Sequence, residues 1–209
     1  MYKIRNKAMN SFSSYENLKA LREKSESNRL KDNRNHEVLY FHKTDDPYSH
    51  LTIQFIDKLK EEYSIDLVPV LVGQENPEAL HEPDLYEKYC LEDVRRISPY
   101  YGIEFNGVSY PETPLINKAN SILASTEPNN FIEIAMKVSN YLWANDEEEL
   151  SKLQHQFNTP MSKVSEVLSN GNKIRNDCDY YFGSAFYYEK ELYWGVDRLN
   201  HLEERPVSY

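Results

Sequence analysis

Residues Val38 to Leu51 read VLYFHKTDDPYSHL. Val38 to Phe41 is a continuous apolar run, the pattern of a short strand covered on both faces and therefore central in its sheet. Beyond it, Tyr48, Leu51, Phe55, Ile56, Leu59 and Tyr63 recur at helical spacing, which predicts a helix reaching Tyr63. Pro47 falls at or just before the first turn, where its missing N–H costs nothing. Asp45 or Asp46 then falls at or near the N-cap, a position that suits aspartate because its carboxylate can accept the unpaired amides of the first turn. A strand end meeting a helix start is also where many α/β proteins keep their chemistry.

Working outward, Ile65 to Val72 (IDLVPVLV) reads as a second strand, and Pro69, unable to donate to a ladder on one side, places it at a sheet edge. Strand, helix and strand in so short a span predict a βαβ unit. From Pro83 to about Asp177 the chain turns helical. Leu85, Tyr86, Tyr89, Cys90, Val94 and Ile97 line one helix face, read as core packing, and Pro99 and Gly102 stop that helix. Phe131, Ile134, Ala135, Val138 and Leu142 line another, and a third helix starts after Thr159-Pro160 and is expected to end at Gly171. The stretch from Gly107 to Ser121 reads as irregular loop. Near the C-terminal end, AFYYEKELYWG predicts a hairpin turning at Glu189-Lys190 without glycine, followed by a short helix with Leu199 and Leu202 inward. The order is β-α-β, a helical block, then β-β-α. This is an α/β chain with a thioredoxin-like mixed sheet and an all-helical insertion.

A chain of 209 residues suits one domain: residues 37–209, with the insertion at about 83–177 and a basic N-terminal extension at 1–36. The extension carries nine Lys/Arg against four acids within a chain of net charge -10, so the body is strongly acidic and is expected to repel nucleic acid. The simplest place for the extension is on that acidic body or on a partner subunit. The excess of aromatic residues (17 tyrosines) together with this extension suggests a homodimer. No apolar window approaches the roughly 18 residues of a membrane span, and the start lacks the apolar core of a secretory signal. A cytoplasmic protein is expected. Cys90 and Cys178 form no C-x-x-C and read as buried, reduced thiols. His42, Asp45, Asp46 and His50 lie close in sequence, but a strand end, a turn and a helix would have to converge to make them ligands, so no metal is expected.

Three segments resemble one family, the DsbA-like thioredoxin-fold proteins, in the branch of the 2-hydroxychromene-2-carboxylate isomerases and kappa-class glutathione transferases. FGSAFYYEKELYWGVDRLNHLEER, with Trp194, Gly195, Asp197, Arg198 and Leu199, is similar to that family's closing pattern of cis-proline loop, hairpin and final helix. FHKTDDPYSHL is similar to its strand followed by Ser-Pro-Tyr, and AMKVSNYLWANDEEELSKL looks like its insertion helix. The resemblance implies glutathione as cofactor, a small organic substrate, Asp46 and Ser49 as catalytic positions, and Pro47, Ser184 and Asp197 as glutathione contacts. The departures are equally specific. Asp46 stands where the family has serine or the first redox cysteine, Ser49 replaces the second cysteine, Ser184 replaces the cis-proline, and Val196 replaces a glutathione-binding serine.

Thioredoxin-fold sites use helix N-terminal amides to stabilise a thiolate. A carboxylate at Asp46 competes for those amides and repels a second anion. Asp46 is therefore either a structural cap or a general base for an enol-type isomerisation. Two functions follow: a glutathione-associated isomerase or transferase acting in the cleft between sheet and insertion, or a thioredoxin-fold binding module without catalysis. Thiol-disulfide exchange is disfavoured because no thiol is placed to attack.

Overall fold

Val38 and Tyr40 pack on one face of the central strand, Leu39 and Phe41 on the other, and this two-sided burial organises everything else. The computed structural model describes residues 15–74, 80–157 and 159–205. In chain order these form α1 (Tyr15–Lys31), β1 (His36–Lys43), α2 (Pro47–Ile53), α3 (Ile56–Glu62), β2 (Ile65–Val72) and α4 (Pro83–Ile97). Next come α5 (Thr113–Ser125), α6 (Phe131–Trp143), α7 (Glu147–Gln156), α8 (Met161–Asp177), β3 (Ala185–Tyr188), β4 (Glu191–Trp194) and α9 (Leu199–Glu203). The sheet order is β2-β1-β3-β4, with β1 parallel to β2 and antiparallel to β3, so the mixed sheet has the form the sequence predicts. Pro69 lies opposite Tyr40 in the edge strand β2, where one side needs no donor.

One face of the sheet meets Ile53, Ile56 and Leu59 of α2 and α3, the apolar stripes of α5 to α7, and Leu199 and Leu202 of α9. The other face carries Phe41, Val70 and Val72, against which Ile174 and Cys178 from the end of α8 pack. Among the described residues no helix is long and apolar enough to cross a membrane.

Five local expectations need correction. The helix after β1 is two helices, because Gln54 N–H and Phe55 N–H turn back to Leu51 and Thr52 in tight i→i−3 bonds and end the first one early. The supposed loop of 107–121 contains the start of α5, whose Leu115, Ala119, Ile122 and Leu123 are buried at helical spacing behind Pro114 in its first turn. The last helix of the block does not stop at Gly171 but runs to Asp177. On α4 only Cys90 and Val94 are buried, whereas Leu85 and Tyr89 are 65% and 57% exposed. Cys178, expected to be buried, is half-buried.

The described part of the extension lies on the chain's own hairpin. Lys3, Arg5 and Lys7 fall outside the described residues, but α1 buries no residue and is held by polar contacts to the hairpin. Arg22 Nε and Nη2 donate to Glu191 Oε1 and Oε2 at 2.9 and 2.6 Å, and Arg205 Nη2 reaches Oε1 as well, at 3.1 Å. Against the cost of burial, these guanidiniums hold the Glu191 carboxyl below its ordinary value. Ser25 and Arg34 both donate to Glu189, which with Lys190 adopts positive φ (45° and 69°) at the hairpin turn. Two non-glycine residues in that region cost roughly 1–2 kcal/mol each, and the extension helps fix one of them. Replacing Arg22 with alanine should raise amide hydrogen exchange across 15–31 severalfold while leaving β1 protected, and high salt should do the same to the native protein.

Candidate functional site

The turn after β1 is closed by its own side chains. Asp46 is the N-cap of α2: its carboxylate accepts Tyr48 N–H at 3.2 Å, Ser49 N–H at 3.0 Å and the Ser49 hydroxyl at 2.8 Å. The amides that could stabilise a bound anion are thus already engaged. Ser49 is fully buried, and its oxygen also accepts Lys43 N–H. Thr44 donates to Asn120 of α5 at 2.6 Å, tying the turn to the helical block. Asp46→Ala should cost about 1–2 kcal/mol in urea unfolding, and Asp46→Ser should retain most of that stability, because both effects belong to a cap.

The loop before β3 presses on this turn. A Cβ placed on Gly183 would lie 2.6 Å from Lys43 Cβ and 3.1 Å from the Asp46 carboxylate. Ser184 is fully buried, with φ 51°; its hydroxyl shares a 2.7 Å hydrogen bond with Thr52, and its carbonyl accepts Gly195 N–H at 2.8 Å. Among the described residues no peptide bond is cis, so the bond before Ser184 is trans. Of the two cysteines, Cys90 lies on the side of the turn. Burial pushes its thiol up to about 11, the nearby Asp46 charge adds to this, and a hydrogen bond with Tyr86 opposes it. It is a protonated thiol at neutral pH.

The open space lies beside the turn. A cleft of about 390 Å³ separates α4 and the 3-10 turn Ser98–Tyr101 from the segment after β4. Tyr48, Tyr89 and Tyr101 form one side, and Trp194 and Asp197 the other. Tyr48 OH donates to Asp93 Oδ2 at 2.8 Å; burial and this bond push the phenol well above its usual value, so it stays a neutral donor. Tyr86, Phe182 and Trp194 stack in series, with centroids 5.4 and 5.2 Å apart and planes within 17° and 9°, joining α4 to the end of the hairpin.

No protein-family model matches the chain, and no curated protein does. Solved structures do. 2-Hydroxychromene-2-carboxylate isomerase superposes with a TM-score of 0.54 at 18% identity, over 80% of this chain and 93% of its own. A candidate protein disulfide isomerase from Nitrosomonas europaea superposes with a TM-score of 0.58 at 14% identity, over 82% of this chain and 97% of its own. The chain has a DsbA-like thioredoxin fold. Within that fold the Asp46 turn occupies the expected strand-to-helix position, and Ser184 sits at the start of β3 as the sequence places it.

The sequence-predicted site residues therefore separate into two groups. Asp46, Pro47, Ser49 and Ser184 come together as a packed structural knot, three of them buried. Asp197, 60% exposed, stands in the cleft wall and pairs with Arg198 at 2.9 Å. Sequence reasoning missed Tyr89, Asp93 and Tyr101. Asp93 lies four residues after Tyr89 on the same helix, so the spacing was visible; what was not visible is that this face of α4 meets the cleft and not the core.

Proposed function

We propose that this DsbA-like thioredoxin-fold protein is a binding module that holds a small organic molecule in the cleft between α4 and the Trp194–Arg198 segment, without catalysis at the turn. The observation that carries this reading is the engagement of Tyr48 N–H and Ser49 N–H by Asp46. In a thioredoxin fold those donors would otherwise face a substrate thiolate or cofactor anion. The cleft supplies what a ligand site needs: aromatic walls, a few fixed polar groups, and a volume in the range of small-molecule sites.

The test is tryptophan fluorescence of the native protein titrated with a neutral probe, benzyl alcohol, while isomerase and transferase substrates are assayed for turnover. Saturable quenching that disappears in Trp194→Phe, with no turnover, supports the proposal. Turnover that Asp46→Asn abolishes would replace it with an enzyme. A second reading, a glutathione-associated isomerase or transferase acting on a small organic substrate, is favoured by one feature: Asp197, the surviving glutathione-type position, does line the cleft. In that reading Asp197 would hold the amino end of glutathione, and Asp46 would have to release its helix amides.

A further inference from the structure

We infer that the ligand of this cleft is a small organic cation. The inference rests on the cleft being the binding site and adds the chemistry of what it takes. Four aromatic rings line it, those of Tyr48, Tyr89, Tyr101 and Trp194, and aromatic faces attract a positive charge through their quadrupoles. The charged groups of the lining are two carboxylates, Asp93 and Asp197, against one guanidinium, Arg198.

The partners of these groups decide the sign. Arg198 is already paired with Asp197 at 2.9 Å, so it brings no surplus positive charge to an incoming anion. Asp93 accepts the Tyr48 hydroxyl, which carries no charge, and its cationic neighbour Arg96 is 3.6 Å away and 66% exposed. Among the described residues, this half-buried carboxylate is thus balanced by a solvated, screened guanidinium. A chain of net charge -10 adds a long-range field of the same sign. An anion entering here would meet the Asp93 carboxylate, with the one guanidinium of the lining already neutralised by Asp197. A quaternary or protonated amine would meet aromatic faces and the Asp93 carboxylate together.

The probe pair is choline and its uncharged isostere 3,3-dimethylbutan-1-ol, titrated into the full native chain. Trp194 emission and the amide resonances of Gly195 to Arg198 are the readouts. Choline should bind about tenfold more tightly than the isostere, should weaken as salt rises, and should lose about tenfold in Asp93→Asn, whose amide can still accept from Tyr48. Equal or tighter binding of the isostere in the cleft would overturn the cation and leave the cleft as a ligand site. Choline binding unchanged by Asp93→Asn would also overturn it. If neither probe moves any cleft resonance and benzyl alcohol does not either, the cation and the proposed function fail together.

Discussion

Gly171→Ala is expected to destabilise the protein by at least about 3 kcal/mol, or to prevent folding. In the interior of an exposed helix the same change would add roughly 1 kcal/mol of stability, because alanine is the better helix former. Here the sign reverses. Helix α8 crosses β2 so closely that a Cβ on Gly171 would lie 1.9 Å from the Leu71 carbonyl oxygen and 2.9 Å from its carbon. The obstruction is backbone of an edge strand whose other side is fixed by pairing to β1, so it cannot rotate away as a side chain would. Asn170→Ala, one residue earlier and exposed, is the control and should change stability by less than about 0.5 kcal/mol. Urea midpoints decide it, and a neutral or stabilising Gly171→Ala would mean that α8 does not pack on β2 in this way.

Acid should begin to destabilise the protein as soon as pH falls below the ordinary histidine value of about 6.5. His42 is fully enclosed and its imidazole is pushed down to about 3, by burial first and by the neighbouring His50 second. His50 is pushed down to about 4 by burial; Ser139 meets its Nδ1 at 2.8 Å, while its buried Nε2 has no hydrogen-bond partner among the described residues. Both folded values lie below the unfolded value of 6.5, so between these limits the unfolded chain binds more protons. The stability from neutral imidazoles is therefore complete above 6.5 and is lost as pH falls toward 4 and then 3. Within the window each histidine contributes a slope of up to about 1.4 kcal/mol per pH unit. Unfolding free energies measured from neutral pH downward should show this combined slope, and the ring protons of both histidines should not titrate while the protein stays folded. Midpoints near 6.5 in the native state would contradict the enclosed placement of both rings.

What could be read from the sequence follows from how local its causes are. The apolar run of β1, proline at the edge of β2, the cap before Pro47 and the inward leucines of α9 each depend on a few neighbouring residues, and all stand where the sequence places them. The hairpin was legible too, although of its two positive-φ residues Glu189 is held by the distant Ser25 and Arg34. The misreadings have non-local causes. Polar Asn117, Lys118 and Asn120 diluted the apolar stripe of α5, whose buried face is defined only by the helices around it. Gly171 looks like a helix stop until β2 lies beneath it.

The site divides in the same way. Asp46 as N-cap was one of the readings its sequence neighbours allowed, and the carboxylate is found there. That Ser184 would be sealed by Thr52, and that Tyr89 would face a cleft shared with Trp194 and not the core, depends on pairings more than 100 residues apart in sequence. Those pairings close the turn and leave the open space beside it.

The most direct test is a calorimetric titration of the native protein with reduced glutathione at millimolar concentration. With the helix amides held by Asp46, the Asp93 carboxylate in the cleft wall and Arg198 already paired with Asp197, no saturable heat is expected. Saturable binding that Asp197→Asn abolishes would contradict the account and restore the family's anion site to this fold.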